Sequence, residues 1–293
     1  MTIQYYFDLI KPGIVLGNII SAISGFLLAT HHEHHINYII LMYMILGTTL
    51  VIASSCVLNN IIDRDIDAIM DRTKNRVLAK NINSCFVKNS IIYAIILNTL
   101  GFLFLGLTKN LLTILLTMIG FLVYIGIYSL WMKRKSIYST IIGSISGSMP
   151  PIIGYCTVSH TLDTGAWLLF IAFSFWQIPH SYSITIFRSQ DYKKASIPTF
   201  NIKKGIKLTR IHMILCILIF TLANISLTVL GYTSYTFLYI ISIMSIFWLY
   251  TGWYQYKQLD NDLKWAKKMF ILSIVIITSL NVLLSLDSIF IFY

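Results

Sequence analysis

Charge is scarce in this sequence. Asp, Glu, Lys and Arg supply 11% of its 293 residues, while hydrophobic residues supply 57%. That balance excludes an ordinary soluble domain and predicts an all-α chain that crosses a membrane repeatedly. Cysteine is also scarce. Cys56, Cys85, Cys156 and Cys216 are scattered, with neither a disulfide framework nor the spacing of a metal site, so they read as small buried residues. No glycine-rich nucleotide loop and no Ser/His/Asp order stands out, which sets aside P-loop and serine-nucleophile chemistry.

The formal net charge of +11 would suit a nucleic-acid binder, but its placement argues for a lipid membrane and no nucleic acid. A span needs about 20 apolar residues, and nine runs qualify: 14–30, 39–58, 90–107, 111–130, 138–158, 165–187, 211–230, 235–253 and 269–286. When the chain is threaded through them, 21 of the 22 Lys and Arg fall on one side and only Lys109 on the other. The positive-inside rule then places the N-terminus in the cytoplasm and the C-terminus outside. The first run is long, lacks a small-residue cleavage site and is followed by further runs, so it reads as a retained helix. The expected architecture is a single transmembrane domain over 1–293 with nine transmembrane helices.

Where the second run ends, the chain reads Asn59-Asn-Ile-Ile-Asp63-Arg-Asp65-Ile-Asp67, followed by Asp71-Arg72. A four-residue step along a helix rises about 6 Å and turns only about 40°. Asn59, Asp63, Asp67 and Asp71 are therefore expected to form one polar stripe. Stacked carboxylates raise one another's pKa unless a cation sits among them, and hard oxygen ligands at this spacing suit Mg²⁺ shared with substrate phosphates. A solvated, salt-bridged helix end is the competing reading. Asp65 lies about 160° round the helix from Asp63 and is expected to pair with a nearby base instead.

Basic residues follow at Arg72, Lys74 and Arg76, and again at Lys133-Arg134-Lys135. They suit either the remaining oxygens of a diphosphate or positive-inside anchoring. The sixth run ends Trp176-Gln-Ile-Pro-His180-Ser-Tyr182, then Arg188, Asp191 and Tyr192. His180 there is either a hydrogen-bonded core residue or a contact for an acceptor. Gly143 and Gly147 in the fifth run present a small-residue face for close helix packing, and Pro150-Pro151 then interrupts the helix. His31, His32, His34 and His35 fall in an outer loop, away from the acidic stripe.

These runs carry a resemblance. Asn59-x₃-Asp63-x₃-Asp67 resembles the first aspartate-rich motif of the intramembrane prenyltransferases. The runs 59–67, Asp71-Arg-Thr-Lys-Asn-Arg-Val-Leu78, Tyr128-Ser-Leu-Trp-Met-Lys-Arg134, Gly147-Ser-Met-Pro-Pro-Ile-Ile-Gly-Tyr155 and Trp176-Gln-Ile-Pro-His-Ser-Tyr182 resemble the heme-farnesylating branch of that family, over nearly the whole chain. The family usually has a second acidic motif after the sixth span. Here that stretch holds His180, Ser181, Arg188 and Asp191 rather than a carboxylate pair, which makes Asp191 the best candidate for a second metal.

The resemblance implies nine helices around a cavity open to the cytoplasmic side of a bacterial inner membrane. It implies farnesyl diphosphate and heme b as substrates and Mg²⁺ as cofactor. Asn59, Asp63 and Asp67 are then catalytic, and with Asp71 and Asp191 they are the metal ligands. Arg72, Lys74, Arg76, Lys133, Arg134 and Arg188 face diphosphate, and His180, Tyr128 and Trp176 face heme. Tyr124, Tyr128 and Trp131 offer aromatic faces to an allylic cation. A contact with a terminal oxidase or a heme A-forming enzyme is among the partners it suggests. Two alternatives remain: a quinone-precursor ring as acceptor, and a secondary transporter, since intramembrane carboxylates also mark ion paths. A transporter places them near the midplane on broken helices, whereas these lie at a helix end beside basic residues.

Overall fold

A computed structural model describes residues 3–30, 36–80, 83–254 and 262–290. Among them there are helices and no strands. Eight helical rods are long and apolar enough to cross a membrane: Pro12–Thr30, Tyr38–Ile62, Ser84–Gly106, Leu111–Lys135, Ser139–Ser159, Ile206–Val229, Tyr235–Tyr254 and Asp262–Asp287. The ninth expected span exists as Thr164–Phe187. It is long enough, but Gln177, Pro179, His180, Ser181 and Ser183 dilute its apolar character. In chain order these nine rods are called spans one to nine.

Several spans begin where an Asn or Asp stops the apolar run. Asn37, Asn83, Asn110 and Asp163 each accept hydrogen bonds from backbone N–H groups of the first turn they precede, which satisfies donors the helix itself leaves free. Asn110 also donates to the carbonyl of Cys156 at 2.7 Å, and Tyr155 donates to Asp163 at 2.8 Å. These caps therefore also join neighbouring spans.

Packing is closest where small residues let backbones meet. A Cβ on Gly25 would lie 1.9 Å from the carbonyl oxygen of Pro151, so spans one and five touch backbone to backbone. Span five is jointed as the sequence implies. It runs Ser139–Gly147, then Met149–Ser159, with Pro150 and Pro151 in the first turn of the second part, where missing N–H groups cost little. The predicted small face is used in two ways: Gly143 seats the ring of Tyr128, and Gly147 seats the amide of Gln177. Inside the bundle, Ser24 donates to Asn281 at 2.7 Å, tying span one to span nine. At one end of the bundle, buried Arg210 pairs with Asp262 and lies 4.2 Å from the Trp265 ring centre.

Three of the four cysteines are buried as expected. Cys85 is exposed, because it sits in the first turn of span three, before the apolar run begins. His31, His32, His34 and His35 lie outside the described residues.

Candidate active site

Span two ends at Ile62, Asp63 forms a joint, and a short helix, Arg64–Ile69, follows. The four-residue hydrogen-bond step survives the joint, since Asp63 N–H donates to Asn59 O at 2.9 Å and Asp67 N–H to Asp63 O at 2.8 Å. Asn59, Asp63 and Asp67 therefore keep one face, and all three are buried. The fourth member of the expected stripe departs from it. Met70 is extended (ψ 127) and ends the short helix, so Asp71 lies beyond the helix and is exposed. Its carboxylate pairs with Lys74 at 2.9 Å and Lys194 at 2.6 Å. Those two ammonium groups hold it well below the usual carboxylate range, to about 2.

Each member of the stripe meets a cation from another part of the chain. Lys11 donates to Asn59 Oδ1 at 2.6 Å, Lys133 to Asp63 Oδ2, and Arg76 to Asp67 Oδ2 at 2.7 Å. Asn59 in turn donates to Asp63 Oδ2 at 2.8 Å and to Ser129 Oγ at 3.1 Å. Ser129 and Lys133 reach the stripe from span four, whose Val123–Met132 segment is π-helical, a widened winding that recurs at functional sites. Tyr124 and Tyr128 stack on that segment at 5.8 Å, while Trp131 is exposed.

Lys11 and Ser129 are the residues that sequence reading missed. Lys11 counted only as a topology charge, and Ser129 is a small polar residue inside an apolar run. The one local signal for Lys11 is its place directly before Pro12. In the structure Lys11 adopts left-handed backbone (φ 53), uncommon for a residue with a side chain and costing of order 1–3 kcal/mol. Asn60 anchors the turn by donating to Leu9 O at 2.8 Å. Burial, reinforced by the Arg76 charge, pulls the Lys11 ammonium down to about 8.

The loop after span six closes on the same site. Asp191 is buried, and its Oδ1 accepts the Asp71 N–H at 3.2 Å. Burial raises the neighbouring Tyr192 phenol, which also feels Tyr128, Arg72, Lys133 and Asp191; Arg72 and Lys133 therefore lie within electrostatic reach of this loop. Arg188 makes no ion pair among the described residues and lies 5.7 Å from the Phe187 ring centre.

Asp65 pairs with a base as expected. Both terminal nitrogens of Arg134 donate to its carboxylate at 2.7 Å, and one also reaches Ile62 O. The Arg134 hydrogen bonds hold the Asp65 carboxyl down to about 2. These contacts commit Arg134 to pinning span four to the end of span two.

His180 and Trp176 form a second cluster. They stack at 4.9 Å, and His180 Nδ1 lies 2.8 Å from Ser273 Oγ while Trp176 donates to Ser273 O at 2.8 Å. Phe270 lies 5.0 Å from the imidazole. These contacts join spans six and nine; no hydrogen bond joins them to the acidic stripe among the described residues.

The donor set fits a divalent metal shared with phosphate. Asp63 Oδ1 and Asp191 Oδ2 are buried without a hydrogen-bond partner, and a buried carboxylate oxygen left that way is costly unless a cation meets it. Among the described residues no three His, Cys, Asp or Glu side chains form a self-sufficient cage.

Comparison with known proteins adds the context. Residues 18–274 match the family model described as the UbiA prenyltransferase family. The chain is 59% identical over 287 residues to the protoheme IX farnesyltransferase of Blochmanniella pennsylvanica (strain BPEN), covering 98% of this chain and 97% of that protein. It is 52% identical over 289 residues to the protein of the same name from Baumannia cicadellinicola, covering 98% and 99%. Among solved structures, one concerning digeranylgeranylglyceryl phosphate synthase superposes with a TM-score of 0.80 at 18% identity, over 98% of each chain. A UbiA homolog from Archaeoglobus fulgidus bound to GPP and Mg²⁺ superposes at 0.67 and 15% identity, over 96% and 99%. At those identities the two structures speak for a shared fold alone.

Proposed function

The chain belongs to the UbiA prenyltransferase family, and from that premise we propose that it transfers a farnesyl group from farnesyl diphosphate to a vinyl group of heme b. Water adds in the same conversion, giving heme O and diphosphate. The observation that carries the chemistry is buried Asp63, with one oxygen on Lys133 and the other without a partner. The choice of acceptor is supported by the near-full-length identity to proteins named protoheme IX farnesyltransferase.

Asn59, Asp63 and Asp67 would hold one Mg²⁺ on the face of span two, and Asp191 would hold a second. When bound, the metal supplies Lewis-acid stabilisation of the charge that develops on the leaving diphosphate. Lys133, Arg72, Arg76 and Arg188 donate hydrogen bonds to the phosphate oxygens, and their positive charge favours departure of the diphosphate. The stacked Tyr124 and Tyr128 rings offer π faces to the allylic cation and keep water from it until the vinyl carbon has attacked. Water then captures the second cation, on the former vinyl group. Trp176 and His180, fixed to Ser273, orient the porphyrin. Asp71, paired with Lys74 and Lys194, organises the loop rather than the metal. The acidic end faces the cytoplasm of a bacterial inner membrane, a reading supported by the 21 of 22 basic residues on that side.

The test is a turnover assay on purified protein with heme b, farnesyl diphosphate and Mg²⁺, read as the mass of the extracted heme. A gain of farnesyl plus water, abolished by chelation, is the expected result. Unchanged heme from folded protein would sink the choice of acceptor.

A further inference from the structure

Three of the proposed metal ligands, Asn59, Asp63 and Asp67, already meet a cation on one oxygen each, and two of those cations come from parts of the chain far apart in sequence. The Lys11 ammonium sits on the amide oxygen of Asn59 at 2.6 Å, the atom of that side chain able to ligate a metal. The Lys133 ammonium sits on Asp63 Oδ2, and the Arg76 guanidinium on Asp67 Oδ2. Asp63, Asp67 and Asp191 supply three negative charges, and the three cations touching the stripe supply three positive ones. A bare divalent cation approaching this cluster therefore meets no net negative charge, and the Asn59 and Asp63 oxygens it would use are each held by an ammonium at short range, where little solvent screens the repulsion. A magnesium complex of a diphosphate ester brings phosphate oxygens that those ammonium groups can hold instead.

The geometry also shows that Lys11 is held for this contact. Its backbone is left-handed immediately before Pro12, and the turn is anchored by the buried Asn60 amide on the Leu9 carbonyl.

We propose that Lys11 and Lys133 are displaceable counter-cations that make metal binding conditional on diphosphate. Without substrate each ammonium occupies an oxygen that would ligate the metal, Lys11 on Asn59 and Lys133 on Asp63. With the metal–diphosphate complex each moves from its side-chain oxygen to a phosphate oxygen, so one pair of lysines first guards the metal site and then grips the leaving group. This inference rests on the metal-site reading above, and Lys11 is its new member.

The experiment is equilibrium dialysis of Mn²⁺ against the full-length protein in detergent, with and without inorganic diphosphate, counting protein-bound Mn²⁺ and allowing for the protein-free Mn²⁺–diphosphate complex. Wild type is expected to bind Mn²⁺ about tenfold more tightly with diphosphate, within the ordinary range of coupling between ligands. Lys11→Met is expected to bind Mn²⁺ alone about tenfold more tightly than wild type and to lose most of the enhancement, while Lys11→Arg keeps the wild-type pattern. If Asp63→Asn abolishes Mn²⁺ binding but folded Lys11→Met leaves the metal-alone affinity unchanged or weaker, the metal site stands and the lysine inference falls. If Asp63→Asn has no effect on Mn²⁺ binding, both fall.

Discussion

A Cβ on Gly154 would lie 1.8 Å from the carbonyl oxygen of Ala22. Spans one and five therefore meet through bare backbone, and the contact cannot give way by rotating a side chain. Overpacking of this kind costs roughly 1–3 kcal/mol. Gly154→Ala is expected to lower the thermal unfolding midpoint in detergent. Gly13→Ala, where nothing lies within 4 Å, is expected to leave it unchanged. Equal midpoints for the two variants would mean that the bundle tolerates separation of these spans.

Asp63→Asn and Asp67→Asn keep side-chain shape while removing charge. Each is expected to fold normally and to lose turnover by about 10²-fold or more, the scale on which a lost electrostatic contact to a transition state is felt. Chelation of Mg²⁺ should reproduce the loss in wild type. Mass analysis of the extracted heme is the check, and undiminished product from either variant would remove the metal assignment.

The Arg134–Asp65 pair has good fork geometry, but the Asp65 side chain is 61% exposed. Exposed pairs contribute roughly 0–1 kcal/mol. A double-mutant cycle with Arg134→Ala and Asp65→Ala is expected to show coupling of about 1 kcal/mol or less in thermal stability. Catalysis should fall less than in the Asp63 variant, because the pair positions span four rather than touching substrate. A loss as large as that of Asp63→Asn would put Arg134 back among the diphosphate donors.

His180→Ala removes a ring held between Trp176, Phe270 and Ser273. Titration with heme b is expected to show affinity weakened about tenfold, the scale of one lost ordinary contact. Binding of inorganic diphosphate should be unchanged. Intact heme binding would reduce His180 to a packing residue between spans six and nine.

Much of this molecule was legible in its sequence because the relevant signals are local. Long apolar runs announce the helices; the caps at Asn37, Asn83, Asn110 and Asp163 came from the structure, which starts span three at Ser84 rather than at 90. The four-residue step from Asn59 to Asp67 announces one face, and the paired glycines of span five announce close approach. The same local rule failed at Asp71, because Met70 turns the chain out of the helix and the loop after span six, through Asp191, fixes the Asp71 backbone elsewhere. It also failed at Cys85, which precedes the apolar run of its span.

By itself the sequence determined that this is an all-helical, multi-pass membrane protein with an acidic face at the end of the second span, since hydropathy and helical period are properties of neighbouring residues. Tertiary structure alone decided which cation meets which oxygen. With 22 basic residues available, charge does not distinguish Lys11 from Lys74 or Arg134 from Lys133. The choice is made by which helix ends are brought together and buried, and contacts 48 and 70 residues apart in the chain have no local signature.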